Sequence, residues 1–567
     1  VLINSLSPIF MCKYFLVSAA VVAALLFASS AHGRIFFVTD PQDTTNQTSL
    51  RGAILEANKL KSNQKDPHTA IILLSGTYQL TLTGGDEDFG RSGDLDIIQG
   101  SVTIAGRGSN VTINATGLGD RVFQVFSNAH LTLSHLIIQG GTAPMNDYQL
   151  SEAGASGGAI FNSGTLTIQN CSIGGNSSGN GGFGVIWIGL PGGDGGGIYN
   201  EGFARLDRCI INDNSAGAGA GQDSFGFGHT GGNGGGIYNS GIMFLNNCTI
   251  STNMSGQGGS GGVASGLVSV NAPGGPGGAG GNGAGIFNAG EMELNFCTVN
   301  GNDGGDGGDG GFSLGSGGNA GAGGNGAGIF NTGNLSLKTS TISGNFCGGG
   351  GAGGKGSLNL NFGFLGGGVG GNGGNGGGIY NAGSFNATSC TISLNVTGAA
   401  GTGGRNRNDD GNNADTTGSD GIGGSGGGIA NEADGAAISL RNALVALNSN
   451  GSGFGPDLAG EFAPHGFNLI GAADGSTGFT NGVKANQVGS IANPIDPLLG
   501  PLQMNGGFTS THALLSGSPA IDKGNSYAIH RDQRGHYRPV DFTVIPSAIG
   551  GDSSDIGAFE LSVPPRK

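Results

Sequence analysis

The sequence predicts an all-β chain wound into a parallel β-helix, a solenoid with glycine-rich loop inserts and a short N-terminal capping helix. Three observations predict it. One phrase returns along the chain: "GGGIYNEGFARLDRCIINDN" from Gly195, "GGGIYNSGIMFLNNCTISTN" from Gly234 and "GGGIYNAGSFNATSCTISLN" from Gly376. Apolar residues alternate within each phrase in short runs. An asparagine and a cysteine keep fixed offsets while the spacing between copies drifts.

Copies begin at Gly157, Gly195, Gly234, Gly283, Gly326, Gly376 and, more degraded, Gly426. In the copy from Gly234 the apolar positions are Ile237, then Met243 and Leu245, then Ile250. Alternation by two is strand periodicity. The Asn-x-Gly words between the runs are turn chemistry, because both residues tolerate left-handed backbone angles. Two or three short strands cannot bury an apolar side alone. Stacked on copies of themselves about 4.8 Å apart, they can.

Stacking puts like above like. Asn162, Asn200, Asn239, Asn288, Asn331, Asn381 and Asn431 form one column, and Asn176, Asn214, Asn253, Asn302, Asn345 and Asn395 a second. Such ladders bond side chain to side chain and satisfy buried turn groups. Cys171, Cys209, Cys248, Cys297 and Cys390 form a third column, with Ser340 in one place. Parallel Cβ vectors favour buried free thiols there, with disulfides between adjacent coils as the alternative. The glycine-rich inserts between copies are placed as loops leaving one corner of the coil, either mobile or packed as extended glycine layers. Read as loops, they are dispensable to the fold.

The ends need caps, because an open solenoid exposes sheet edges. In "TSLRGAILEANKL", Leu50, Ile54 and Ala57 fall at helical spacing, with Ser49 or Thr48 as N-cap. Before it, Lys13, an apolar run from Phe15 to Phe27 and "ASSAHG" have the form of a signal peptide cleaved after Ala31 or Gly33. The expected layout is 1–33 as upstream residues plus signal peptide, 34–150 as cap and first coils, 151–450 as repeat solenoid with inserts, and 451–567 as last coils and C-terminal cap. Such a chain is exported, to the extracellular space or the outer cell surface. No second apolar run is long enough to span a membrane.

Of the 567 residues 125 are glycine, 36% are hydrophobic and 11% charged, with a net charge of −15. An acidic chain without Lys/Arg clusters is a poor nucleic-acid binder. The partners expected instead are surface glycans or host or neighbouring cell surfaces, met by a monomer.

"TSLRGAILEAN", "GDLDI", "SVTIAGRG" and "DRVFQVF" together resemble exported bacterial β-helix proteins with an N-terminal CSLREAI motif, with Thr48 where that motif has Cys. The repeats resemble those of polymorphic outer membrane proteins. "NLIG", "DPLLGPLQMNGGFTSTHALLSGSPAIDKG", "DQRGHYRP" and "SDIGAFE" resemble a choice-of-anchor Q domain. The resemblance implies a right-handed helix at a bacterial surface and no defined reaction.

Parallel β-helices also carry polysaccharide lyases and glycoside hydrolases of the pectin-lyase-like type, which set carboxylates on adjacent coils. The column two before the cysteines reads Gln169, Asp207, Asn246, Asn295, Lys338 and Thr388; the column one before reads Asn170, Arg208, Asn247, Phe296, Thr339 and Ser389. Neither stacks acids, and Asp207 with Asp213 is the one same-coil pair singled out. In "GDEDFGRSGDLDI" oxygen ligands recur, so Asp86, Asp88, Asp94 and Asp96 are candidate Ca²⁺ ligands, against a solvated or Arg91-paired turn. Asp522, Asp532, Arg534, His536, Arg538, Asp555 and Glu560 read as a salt-bridged cap. The expected function is an adhesion or display scaffold without a recognisable catalytic site; the alternative is a polysaccharide lyase or hydrolase.

Overall fold

Each repeat contributes three short strands, because its apolar positions come in three short runs. In the coil from Gly234 they are Ile237–Asn239, Ile242–Asn246 and Thr249–Ser251. Each pairs in parallel, without offset, with its counterpart in the next coil: Ile237 with Ile286, Met243 with Met292, Ile250 with Val299. The chain is a parallel β-helix. First strands make an 11-stranded sheet, and second and third strands share a 22-stranded one. The computed structural model describes residues 34–562 apart from 60–67, 86, 145–152, 183–188, 222–225, 264–271, 314, 357, 360–362, 365, 406–416, 433–437 and 452–454. The expected signal peptide lies outside the described residues.

Left-handed backbone makes the corners. The first glycine of every copy has φ between 61 and 77°, where a Cβ would strain the chain. The column from Asn170 to Ser389, which the sequence places on the outside, is itself a bend: its six residues have φ of 48–56°. Inside, Ile, Leu and Met columns are buried. The six cysteines among the described residues are free and buried. Each thiol of the column faces the carbonyl two residues back, as Cys248 Sγ to Asn246 O at 3.3 Å. Ser340 makes the same bond to Lys338 O at 2.9 Å, which explains the exchange: the place takes a small donor. Burial pushes the Cys171 and Cys390 thiols up to about 12.

Both asparagine ladders are present. Nδ2-to-Oδ1 bonds run from Asn162 to Asn431 at 2.6–3.0 Å. The second ladder continues past Asn395 to Asn448 and ends on Asp457 Oδ1 at 2.8 Å. A third, which the sequence reading passed over, lies just before the left-handed glycines. There Asn233, Asn282, Asn325, Asn375 and Ser425 each donate a backbone N–H to the side chain one coil back, beginning at Asp194.

The capping helix is Leu50–Asn58, and Ser49 Oγ accepts from Gly52 N at 3.1 Å. Its Arg51 is 1% exposed and uses all five donors: two on the Asp43 carboxylate, three on the carbonyls of Gly90, Gly93 and Asp94. Asp43 in turn accepts from Thr81 N and Leu82 N. Burial opposes its charge, yet these partners hold its pKa below the usual value.

The inserts are packed layers and not free loops. Where described, they leave the coil and return as two packed layers with a period of three residues and no internal hydrogen bonds, the polyproline-II form. Three residues per turn send successive N–H groups in three directions. One crosses between layers: Gly308 donates to Gly278 O, Gly321 to Gly308 O, Gly351 to Gly321 O and Gly371 to Gly351 O, at 2.8–3.0 Å. One joins the next coil in the same layer, as Gly307 to Gly349 O. The third meets an Asp or Asn of the preceding coil, as Gly349 N to Asp306 Oδ1 and Val369 N to Asn319 Oδ1. Both inward positions are glycine: a Cβ on Gly307 would lie 2.0 Å from Gly321 O in the facing layer, and one on Gly308 2.0 Å from Gly259 O one coil back in its own layer.

The C-terminal segment closes the rod sideways. After the last coils, the hairpin of Leu499–Gln503 and Thr511–Leu514 and the chain beyond it pack on the outer face of the third strands. Gln533 bonds Cys297 O and Thr341 Oγ1, His512 Nε2 faces Ser343 Oγ at 2.9 Å, and Ala558 N donates to Thr391 Oγ1. Thr341–Ser343 and Thr391–Ser393 are therefore buried on both sides, while Ile210–Asn212 is open outward.

Candidate functional surfaces

The glycine layers form a flat sandwich. Every third residue turns outward, so exposure along 303–311 repeats with the same period. On the outgoing layer these positions hold Gln257 and Ser260, then Asp306 and Asp309, then Gly349 and Ala352, then Ala399 and Thr402. Gly349 has no side chain, which leaves a shallow trough of about 550 Å³ between the Asp306–Asp309 row and Thr402. Its floor is backbone and its rims are short polar side chains.

A second, half-buried feature is an aromatic ladder between the first-strand Ile and Asn. Phe161, Tyr199, Tyr238, Phe287, Phe330 and Tyr380 stack with centroids 4.8–4.9 Å apart and planes within 13°. Arg121 covers one end at 5.5 Å, and Tyr380 donates its hydroxyl to Glu432 at the other. The neighbours occupy the ring faces, so only edges reach solvent. The ladder supports the coils and does not offer a stacking platform. The recurring words "IFN" and "IYN" set an aromatic in each coil, but alternation alone marks it only as external.

The carboxylates singled out from the sequence have separate fates. Asp207 accepts from Asn246 Nδ2 at 2.6 Å, and Asp213 accepts from Asn212 Nδ2. No hydrogen bond joins the two. Asp213 instead lines a shallow groove of about 410 Å³ with Ser172, Asn212 and Gln139. At the N-terminal cap, Asp94 and Asp96 come together under the loop that carries Glu87 and Asp88, while Asp86 lies outside the described residues. Arg91 donates its backbone N–H to Glu87. Among the described residues, no three His, Cys, Asp or Glu side chains converge as a metal centre, and no helix is long and apolar enough to cross a membrane.

The C-terminal cluster is a buried ion-pair network. Arg538 pairs with Glu560 at 2.9 Å and Arg534 with Asp532 at 2.7 Å. Burial raises Asp555, with the Glu560 charge behind it, and raises Glu560. Burial also lifts Asp522 and Asp457 to about 6, and lowers His512. An acid raised in the fold binds more protons folded than unfolded, so its stability contribution falls as pH rises from about 4 through the folded value. His512 works oppositely, losing stability below about 6.5. The acids outnumber it. Melting should therefore be higher at pH 5 than at pH 8, with Asp522→Asn flattening the slope. A melting temperature that falls steadily from pH 8 to pH 5 would contradict this account.

No protein-family model and no curated protein matches the chain. Among solved structures it is similar to pectate lyase Pel9A, at 12% identity over 94% of this chain and 97% of that one, with a TM-score of 0.39. It is also similar to tailspike protein 3 of bacteriophage CBA120, at 11% identity over 76% of this chain and 60% of that one, with a TM-score of 0.21. The fold described above rests on its own strand pairings, which make this chain a parallel β-helix with a glycine sandwich on its side.

Proposed function

We propose that this chain is an exported, surface-exposed scaffold for adhesion or display, binding through the outer faces of its glycine sandwich. One observation carries the reading. Interlayer hydrogen bonds between glycines fix the framework, while every third residue turns outward and stands in a regular row on a flat face. Outward positions that accept no N–H from the next coil, such as Gly349 and Ala352, can change their side chains without changing the interlayer bonds. Short polar side chains beside a backbone floor suit the hydroxyls of a glycan. The resemblance of both ends to exported β-helix proteins agrees with work outside the cell.

The test is to pass the full chain over a panel of immobilised polysaccharides and score retention and cleavage together. Retention without cleavage is expected, and Gln257→Ala with Thr402→Ala should reduce retention without moving the melting temperature. Cleavage by the intact protein, lost in Asp207→Asn with Asp213→Asn, would replace the scaffold by a lyase or hydrolase.

A further inference from the structure

Asp94 and Asp96 flank Leu95 at the start of the strand Leu95–Ile97. Leu95 and Ile97 point into the core, so the aspartates leave on the opposite side. That side is sealed. Asp96 is 0% and Asp94 4% exposed. Gly90 of the covering loop comes so close that a Cβ there would stand 3.3 Å from Asp96 N.

Neither oxygen of Asp96, nor Oδ2 of Asp94, accepts a hydrogen bond from another group; the two carboxyls face each other, and only a proton held between them would join them. Asp457 is served on both oxygens, by Asn448 and by Ala472 N, and Asp522 on one, by Phe542 N. The cations nearby do not fill the gap. All five Arg51 donors are committed to Asp43 and to carbonyls. Arg121 reaches Asp94 Oδ2 at 3.5 Å and leaves Asp96 untouched. The remaining charged neighbours, Glu87, Asp88 and Asp120, are acidic. Burial first, and then Asp88 and Glu87, push Asp96 up to about 7; the nearby Gly90 N–H offsets this only in part and does not reach hydrogen-bond geometry. A buried carboxylate without a partner is held only at high cost.

We propose that Asp94 and Asp96 hold a divalent cation of the Ca²⁺ type, which pins the covering loop onto the first coils. Three carboxylate oxygens lack a hydrogen bond, and of these only Asp94 Oδ2 has a cation beside it, Arg121 at 3.5 Å; all three are hard oxygens, which Ca²⁺ accepts in irregular arrangements completed by water and main-chain carbonyls. With two carboxylates, the affinity belongs with that of extracellular modules, about 10⁻⁴–10⁻³ M. This inference does not depend on the scaffold reading.

The experiment uses the full chain, stripped with chelator, at pH 8. Calcium titrated from micromolar to 10 millimolar (roughly tenfold above the weak end of that range) should raise the melting temperature in step with saturation. Calorimetry should count one ion per chain, and proteolysis in the covering loop should slow. Asp96→Asn keeps the shape and removes the charge. It should bind calcium at least about tenfold more weakly and melt higher than the stripped parent. No calcium response in the parent would overturn the proposal and leave the pair sharing a proton. Undiminished binding by Asp96→Asn would overturn it too, by placing the ion elsewhere. If Asp96→Asn does not fold, the parent's stoichiometry and the loop's protection decide.

Discussion

Replacing three consecutive glycines one at a time should give sharply unequal results. Gly349→Ala is expected to be harmless, whereas Gly350→Ala and Gly351→Ala are expected to disrupt the sandwich. Gly349 is an outward position, where a Cβ would meet Asp306 Oδ1 at 3.6 Å and Ala399 O at 3.7 Å, ordinary contacts. A Cβ on Gly350 would lie 1.9 Å from Gly371 O, and one on Gly351 2.3 Å from Gly308 O. Those obstacles are backbone, themselves held by bonds between layers, so they cannot swing aside. Gly349→Ala should change stability by no more than about 1 kcal/mol, toward stabilisation because the unfolded chain loses freedom. Each of the other two should cost about 1–3 kcal/mol from overpacking, and more where a hydrogen bond between layers opens. Deleting 304–324 should be worse than either. It removes the partners of Gly278 O and Gly351 N from the middle of the stack. Thermal melts of the four variants decide the matter: equal melting temperatures for the three alanine variants would mean that the layers are not packed as described.

The coil was legible in the sequence because its cause is local and repeated. Ile237, Met243, Leu245 and Ile250 declare their faces by alternation, and zero-offset stacking turns a repeated Asn or Cys into a column. The outward members of the same strands were undervalued. Tyr238 stands beside Ile237 in every reading of the phrase, yet alternation marks it only as external, and nothing local says that six such rings stack. The sequence leaves the inserts open between mobile loops and packed glycine layers for a different reason. "DGGDGGDGG" has a period of three, which is neither strand nor helix periodicity, so nothing in it chooses between the two. Asp306 and Asp309 each receive an N–H from the next coil. The acidic stretch before the first coils was legible as a cluster, but the separation of Asp94 and Asp96 from their partners depends on Arg51, eight residues from Asp43 and some forty from the loop it grips. The sideways course of the C-terminal segment was not legible at all. Gln533 bonding Cys297 spans 236 residues, and no local pattern records which distant face a segment will cover.

The ladder carries the second large expectation. Asn239→Leu should be among the most damaging single changes in the repeat, and Asn246→Leu, seven residues on, should be mild. Asn239 is 0% exposed. Its Nδ2 donates to Asn288 Oδ1 at 2.8 Å and lies within reach of Gly241 O and Glu291 O at 3.2 Å. Its Oδ1 accepts from Asn200 Nδ2 at 2.7 Å. Leucine has the same number of side-chain heavy atoms and the same branch point but is bulkier and returns none of these bonds, so buried polar groups above, below and within the turn lose a partner together. Each such orphan costs about 1–3 kcal/mol, which puts the total at roughly 3–6 kcal/mol before any relaxation. Asn246 is half-buried on the outer face, where its one bond to Asp207 Oδ1 can be replaced by water, so its loss should stay below about 1 kcal/mol. Chemical denaturation of both variants beside the parent tests the register directly. If the two midpoints fall together, the asparagine column does not hold the coils in place. If only Asn239→Leu collapses, the stack depends on a ladder in which each rung serves the coil on either side.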